Sequence, residues 1–425
     1  MRESTLNPGK NTYKSSSIVA DAARKAIFSV LKNIKQGCLV IEEGSEQFIF
    51  GECSSRPELN AHVVVEDRRA YSMVFKNGDL GAGEAYMLGL WTSPQLLNVV
   101  RIFVSNMHAL ERINGQKSWL SKISGSLTHL MRANSLKKAK KNIAAHYDLS
   151  NEFFSLFLDE TMAYSSGIFI NEEHSLQQAS QQKFKHICDR LQLKPADHLL
   201  EIGTGWGGLA IYAAKHYGCR VSTTTLSQEQ FAYAKAWVKQ EGLEDQITLL
   251  LNDYRDLEGQ FDKLVSVEMI EAVGAKYYSQ YFAKCNSLLK TDGLMLIQAI
   301  TISDQRFQRS VNSLDFIKRY IFPGGQLPSN SVISKHIAED TDMQLIGMED
   351  ITMDYALTLQ HWRQRFFQKI KAVKKLGFDD TFIRMWEYYL CFCEGGFRER
   401  VIHTGQFLMA KPEFRTLSSI KVAVD

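Results

Sequence analysis

The stretch Leu200-Glu201-Ile202-Gly203-Thr204-Gly205-Trp206-Gly207-Gly208-Leu209-Ala210 sets closely spaced glycines where an apolar run gives way to a helical pattern. Glycine lets the backbone turn tightly and come close to a ligand, and the first turn of the following helix offers unpaired N–H groups. Gly203, Gly205 and Gly208 also satisfy G-x-G-x-x-G, so spacing alone does not separate a dinucleotide site from an S-adenosylmethionine site. Two details shift the balance. Glu201 stands just before the first glycine, where a carboxylate suits the positive amino end of S-adenosylmethionine, whose amino acid part carries no phosphate. The end of the second strand, where a dinucleotide site carries an acid for the ribose hydroxyls, reads Thr223-Thr224-Thr225-Leu226-Ser227, so Thr225 and Gln230 would have to hold the ribose. A glycine turn with no ligand is the remaining reading.

Around this turn, from Lys194 onward, apolar runs alternate with helical segments, the signature of a parallel sheet covered by helices. The first five strands are expected at residues 198–202, 219–226, 246–251, 263–267 and 294–300. Two more are expected at 344–348 and 405–410, bracketing aromatic-rich helices between Trp362 and Phe397. Upstream, a helix from about Ala20, alternating runs at 47–50 and 61–65, and the glycine-punctuated GDLGAGEAYMLGLW ending at Trp91 predict a small α+β domain. A helical region at 96–112 follows. The run Arg132-Ala-Asn-Ser-Leu-Lys-Lys-Ala-Lys-Lys141 then reads as a basic linker. The expected organisation is an N-terminal domain over 1–128, a linker over 129–145 and a catalytic domain over 146–425, with residues 1–17 a loose arm of no assigned function.

The chain has 425 residues, 45% hydrophobic and 23% charged, enough for two or three cores. Lys and Arg number 50 against 47 acids, and a formal charge of +3 gives no reason to expect a nucleic-acid partner. Seven scattered cysteines resemble neither a secreted disulfide framework nor a paired C-x-x-C zinc site, which fits a reducing cytoplasm. Cys391-Phe-Cys393 has no second cluster, so no metal is expected. The polar start and the lack of any run of about 18 apolar residues predict neither signal peptide nor membrane span, so any contact with a membrane is peripheral.

Beyond the glycine turn, a series of ordered motifs resembles the cyclopropane-fatty-acyl-phospholipid synthase family, to which the mycolic acid cyclopropane synthases also belong. The motifs are His146-Tyr-Asp-Leu-Ser-Asn151, Ala163-Tyr-Ser165, EIGTGWGGLA from Glu201, TTLSQEQ from Thr224, NDYRDL from Asn252, EAVG from Glu271, Tyr320-Ile-Phe-Pro-Gly324 and EGGFRER from Glu394. They cover roughly residues 140–410, and GEAYMLGLW is similar to the N-terminal domain of the bacterial phospholipid enzymes. The resemblance implies a Rossmann-like class I methyltransferase sheet with helices on both faces. It also implies S-adenosylmethionine as cofactor, held by Tyr164, Ser165, Glu201, Gly203, Gly205, Thr225 and Gln230, with Asp253 and Tyr254 near the adenine. The structural alternatives are core tyrosines for Tyr164 and Tyr254 and a turn cap for Asp253.

The implied chemistry is transfer of a methyl or methylene group to the cis double bond of an unsaturated acyl chain in a membrane phospholipid. A methyl on a sulfonium is already activated, so the protein must align the alkene, exclude water and stabilise the resulting cation, a task for aromatic faces. Where a base then removes a proton decides between a cyclopropane and a methyl- or methylene-branched chain. The family resemblance implies a bound bicarbonate as that base, gripped by Glu271 and Tyr355, with Ser166, Ile300 and Cys393 at positions that contribute largely backbone contacts. Gln298 stands where the family has His, and Ser166 where Cys is usual. An amide can donate to an anion but cannot titrate near neutral pH, which leaves the deprotonating group and the product open. Gln298 as a strand-end partner of backbone, and Glu271 as a cap of a helix near Lys276, are the structural alternatives.

The resemblance also implies an acyl-chain slot built partly by an insertion at about 303–330, walled by Phe307, Leu314, Phe316, Ile317, Tyr320, Ile321 and Phe322; composition alone reads this stripe as core. Arg132, Lys137, Lys138, Lys140 and Lys141 suit either anionic headgroups or a solvated linker. Peripheral attachment to the inner face of a membrane and a homodimer follow from the same resemblance. The rival readings are a methyltransferase of a soluble small molecule, a non-enzymatic lipid-binding module and, last, a nicotinamide oxidoreductase.

Overall fold

The computed structural model describes residues 18–107, 149–171 and 173–415. The basic run at 132–141 and residues 146–148 of the motif that starts at His146 lie outside the described residues. The described residues fall into two compact units, one within 1–127 together with Asp380–Tyr388, the other within 128–379 and 389–425.

In the first unit, helix Ile18–Leu31 precedes β1 (Gly37–Glu43), β2 (Glu46–Glu52), β3 (Asn60–Val65) and β4 (Trp91–Thr92). The sheet order is β2-β1-β3-β4, with β1 and β3 parallel and the other pairs antiparallel. Most of the glycine-punctuated stretch lies in helix Arg69–Met87, broken at Gly78, whose φ of +58° and ψ of −130° are open to glycine. Inside the unit the buried Glu43 carboxylate is held by Arg24 and Arg68 at 2.7 and 2.6 Å. The cysteine reading needs one correction: Cys38 and Cys53 form a disulfide. The hairpin register sets Cys38 opposite Gly51, and so brings the two cysteine Cα atoms to 4.6 Å; counting cysteines carries no register.

The second unit is built on seven strands, β5 (His198–Ile202), β6 (Arg220–Thr224), β7 (Ile247–Leu250), β8 (Phe261–Val267), β9 (Leu289–Ile302), β10 (Gln344–Asp350) and β11 (Ile402–Ala410). Their order is β10-β11-β9-β8-β5-β6-β7. Strands β5 to β9 run parallel, and β11 inserts antiparallel between β9 and β10. All seven expected strands are present; β9 is longer than expected, gaining Leu289–Gly293, with Thr291 and Asp292 exposed, before its apolar run and Thr301-Ile302 after it.

Successive strand residues point to opposite faces, and here both faces are apolar. Leu199, Val265, Leu294, Leu296 and Leu408 pack with Phe184, Ile187, Ala210 and Val238 on one side. Leu200, Leu264, Met295, Ile297, Phe407 and Met409 pack with Tyr281, Phe282 and Ile333 on the other. The same alternation puts Glu201, Gln298 and Gln406 on the first face. Helix Leu176–Arg190 packs on that face, started by a capping box in which Ser175 and Gln178 satisfy each other's backbone.

The insertion after β9 carries helices Asp304–Val311 and Phe316–Tyr320. Its apolar stripe divides: Phe316, Tyr320 and Ile321 are buried, Phe307 packs against the second core, and Leu314 and Phe322 are exposed at 52% and 46%. Part of the expected slot wall is therefore core.

Candidate active site

The C-terminal edge of a parallel sheet is where loops diverge and backbone groups are free for a ligand. Three loops meet there. The N–H groups of Gly203 and Thr204 both donate to Thr224 O, and Thr225 N donates to Leu250 O, which ties the loops after β5, β6 and β7 together. Gly203, Gly205 and Gly207 all have positive φ, at +102°, +53° and +98°. The space a Cβ would take at Gly205 is open, and at Gly203 it meets Met269 alone, at 3.6 Å. The turn is a bare backbone surface leading into helix Gly208–Tyr217.

Beneath this surface lies a buried polar layer. Glu201 is 3% exposed; its Oε2 accepts from Thr223 Oγ1 at 2.6 Å, and Thr204 and Thr223 hydroxyls are 2.7 Å apart. Burial pushes the Glu201 carboxyl up to about 8. Thr223 of the second strand thus serves the Glu201 carboxyl from below, a partnership separate from Thr225 and Gln230, which the sequence reading gave to the ribose. Lys183, fully buried on helix Leu176–Arg190, donates to Ser165 Oγ at 2.6 Å. Burial pulls this lysine down to about 8 although Glu268, Asp159 and Glu201 attract its charge. Neither Lys183 nor this layer was expected.

Next to it is the densest hydrogen-bond cluster of the site. Glu268 follows β8 directly and has φ +50°, a conformation non-glycine residues seldom take and one that functional sites often hold. Its Oε1 accepts from Ser166 N at 2.9 Å and from Gln298 Nε2 at 2.8 Å, and its Oε2 accepts from Tyr355 OH at 2.7 Å. Gln406 Nε2 donates to Gln298 Oε1 at 3.0 Å, which turns the Gln298 amino group toward Glu268; a longer contact of 3.4 Å reaches Ser166 O. Sequence reasoning named Ser166, Gln298 and Tyr355 but missed the carboxylate on which they converge. The available signal was an acid directly after an apolar strand and three residues before Glu271.

Glu271 lies in the short helix Ile270–Val273 and does not cap a helix at Lys276. Its Oε1 accepts from Ile300 N, its Oε2 is buried without a hydrogen-bond partner among the described residues, and Gln326 of the insertion donates its N–H to Glu271 O at 2.8 Å. Burial and the neighbouring Glu268 push Glu271 up to about 8. Burial raises Glu268 as well, but three donors oppose the rise. Of the two interacting carboxyls, Glu268 has the more donors and so holds its charge more readily than Glu271.

Aromatic rings flank this cluster. Tyr355 is 6.1 Å from Trp362, which is 5.1 Å from Tyr164; Tyr164 in turn is 5.2 Å from Phe154 and 6.4 Å from Phe322. Tyr164 and Tyr389 hydroxyls are 2.9 Å apart, and burial raises both phenols. Cys393, half-buried on helix Asp380–Arg398, is close enough to bear on Tyr164, Tyr355 and Tyr389; burial raises its thiol. Thr225 Oγ1 donates to Gln230 Oε1 at 2.9 Å. Asp253 caps the turn Tyr254–Asp256 and pairs with Arg255 at 2.6 Å, while Tyr254 meets Tyr281 edge-on at 5.6 Å. Asp253 is thus the cap of its turn, and Tyr254 is half-buried against the second core.

The family model described as mycolic acid cyclopropane synthetase matches residues 134–407. The chain belongs to that family. It is 37% identical over 343 residues to the tuberculostearic acid methyltransferase UfaA1 of Mycobacterium tuberculosis, covering 79% of this chain and 80% of that protein. It is also 37% identical over 361 residues to the cyclopropane-fatty-acyl-phospholipid synthase of Escherichia coli, covering 83% and 88%. The solved structure of the cyclopropane synthase MmaA2 from Mycobacterium tuberculosis aligns with a TM-score of 0.58 at 29% identity, over 64% of this chain and 98% of that one. This member of the cyclopropane synthetase family is an S-adenosylmethionine-dependent methyltransferase with the class I fold.

The glycine turn fits that cofactor, since its open face at Gly205 admits a ligand against bare backbone. The other group implied by the resemblance fits less well. Four of the groups expected around bicarbonate are already committed: Ser166 N, Gln298 Nε2 and Tyr355 OH to Glu268, Ile300 N to Glu271. Two like unit charges about 4 Å apart at an effective dielectric near 20 repel by about 4 kcal/mol, so a second anion beside Glu268 is strongly disfavoured.

Proposed function

We propose that this enzyme transfers the methyl carbon of S-adenosylmethionine to the cis double bond of an unsaturated acyl chain in a membrane phospholipid. The product is a cyclopropane or a methyl- or methylene-branched fatty acid. The observation that carries the reading is the run of aromatic rings, Phe154, Tyr164, Trp362 and Tyr355, ending on the hydrogen-bonded Glu268 carboxylate. Such a wall suits an apolar substrate that turns cationic and then gives up a proton. The names of the relatives from Escherichia coli and Mycobacterium tuberculosis support a fatty-acyl substrate.

When bound, S-adenosylmethionine supplies an activated methyl. The chain's own groups do the rest. The backbone at Gly203 and Gly205, with Glu201 and Ser165 beneath, seats the cofactor, and Thr225 and Gln230 line the ribose side. Tyr164 and Trp362 exclude water and face the developing positive charge. The insertion, tied to Glu271 by the Gln326 N–H, carries part of the acyl chain on the exposed Leu314 and Phe322. Asp253 and Tyr254 lie at the adenine side, and Cys393 borders the aromatic wall.

We extend the peripheral membrane attachment, the cytoplasmic location and the homodimer to the N-terminal unit. Its exposed Ile18, Ile49, Phe75 and Leu88 support attachment, and no helix of the described residues is long and apolar enough to cross a membrane. Incubating the protein with unsaturated phospholipid vesicles and methyl-deuterated S-adenosylmethionine tests the substrate. Two deuterons in a ring that resists mild hydrogenation identify cyclopropane, two in a reducible group a methylene, and three a methyl branch. No incorporation into lipid moves the reading to a soluble small molecule.

A further inference from the structure

The family's implied base is an anion from solution, yet the place for it is filled by a side chain of this protein. We propose that Glu268 is the resident base of the reaction and that this enzyme works without bicarbonate. The inference rests on the acyl methyltransferase reading above.

Three observations lead there. The Glu268 carboxylate takes the hydrogen bonds of Ser166 N, Gln298 Nε2 and Tyr355 OH, a donor set arranged for one oxyanion. A carboxylate has about four lone-pair sites, so one on Oε2 stays open to a proton. The backbone at Glu268 adopts φ +50° and its N–H is anchored to Gln298 O at 2.7 Å, which holds a side chain at this spot despite the cost of the conformation. Finally, Gln298 is matched to a permanent carboxylate. Its amide is oriented by Gln406 and donates at any pH, whereas a donor that must first bind a proton would tie catalysis to its own titration.

The step balances within the chain and its two substrates. A bond forms between one alkene carbon and the methyl carbon as the S–CH3 bond breaks and its electron pair stays on sulfur, leaving a cation on the other alkene carbon. A C–H bond of that cation then breaks. Its electron pair closes the ring or the double bond, and the proton goes to Glu268 Oε2. Glu271, pushed up to about 8 by burial and by Glu268 itself, favours its neutral form beside that carboxylate.

The test uses the full-length chain and two readouts. In the first, 13C-labelled bicarbonate is titrated into the protein with and without S-adenosylhomocysteine and followed by NMR. The wild type is expected to bind none, whereas Glu268→Gly, which suits the positive φ, opens the place and binds it. In the second, methyl-deuterated S-adenosylmethionine and oleoyl phospholipid vesicles are assayed in carbonate-depleted buffer and with bicarbonate restored. Wild-type turnover should be equal in both. Glu268→Gly should lose about 100- to 10,000-fold, the range of a lost general base, and regain part of it with bicarbonate. Glu268→Gln, whose amide still fills the place, should lose as much and regain nothing, with S-adenosylhomocysteine affinity unchanged. Bicarbonate bound or required by the wild type, or full turnover by Glu268→Gln, overturns the proposal while the acyl reading stands. A wild type that labels no lipid in either buffer removes the acyl reading and the base role with it, and the NMR titration still reports who fills the oxyanion place.

Discussion

Replacing Glu201 with Gln should make the fold more stable and the cofactor site worse. Glu201 is 3% exposed, and burial raises its carboxyl from 4.5 to about 8. A carboxyl raised on folding contributes fully below its unfolded value and loses that contribution as pH rises toward the folded one. Between pH 4.5 and neutrality the unfolded chain releases this proton while the folded chain keeps it. At about 1.4 kcal/mol per pH unit, the wild type loses about 3 kcal/mol by neutral pH and levels off above about pH 8. Gln has the shape of the neutral acid and its carbonyl still accepts from Thr223 Oγ1, so Glu201→Gln escapes the loss. The expected gain is about 3 kcal/mol near neutral pH, or a melting point higher by about 6–12 °C, shrinking toward zero near pH 4.5. Urea unfolding of the full chain at several pH values between these limits measures it. A variant less stable than wild type at neutral pH, or a difference that does not change with pH, refutes the reasoning.

Other consequences follow from the same site. Wild-type affinity for S-adenosylhomocysteine, whose amino group is positive, should rise with pH up to about 8 as Glu201 ionises, and calorimetry should find Glu201→Gln flat over that range. Tyr355→Phe removes a charge-assisted hydrogen bond to Glu268, worth about 1.5–3 kcal/mol; kcat should fall while S-adenosylhomocysteine affinity holds. Lys183→Met removes the attraction that holds the Glu268 and Glu201 carboxyls down, so the acid limb of the pH–rate profile should move to higher pH, and Lys183→Arg should keep it nearer the wild-type position. Deleting residues 1–128 should abolish co-sedimentation with anionic vesicles and the dimer in analytical ultracentrifugation; a truncated dimer that still sediments with vesicles refutes both assignments.

The strands, their order of appearance and the glycine turn were legible in the chain because they depend on local facts. Apolar runs of strand length, separated by helical periodicity and punctuated by Gly203, Gly205 and Gly207, admit few other arrangements. The motifs around Tyr164, Thr225 and Glu271 were legible for the same reason: each is contiguous. The centre of the site was not. Glu268, Ser166, Gln298 and Tyr355 lie on four separate segments, and what brings them together is the pairing of β8 with β9 and the packing of helix Thr352–Gln368, neither of which any window of sequence contains. Lys183 is a similar case. In the chain it is one more lysine on a polar helix, and only burial beside Glu201 and Glu268 turns it into an electrostatic partner. The disulfide between Cys38 and Cys53 depends on a hairpin register, and the division of the 303–330 stripe into core and surface depends on which side meets the second apolar layer. Sequence by itself determined which elements form, because backbone propensity and periodicity act over a few residues, and its ordered motifs carried the cofactor through the family resemblance. The identity of the anion at the reaction centre was decided by tertiary structure alone, because burial and the count of converging donors exist only once distant segments have packed.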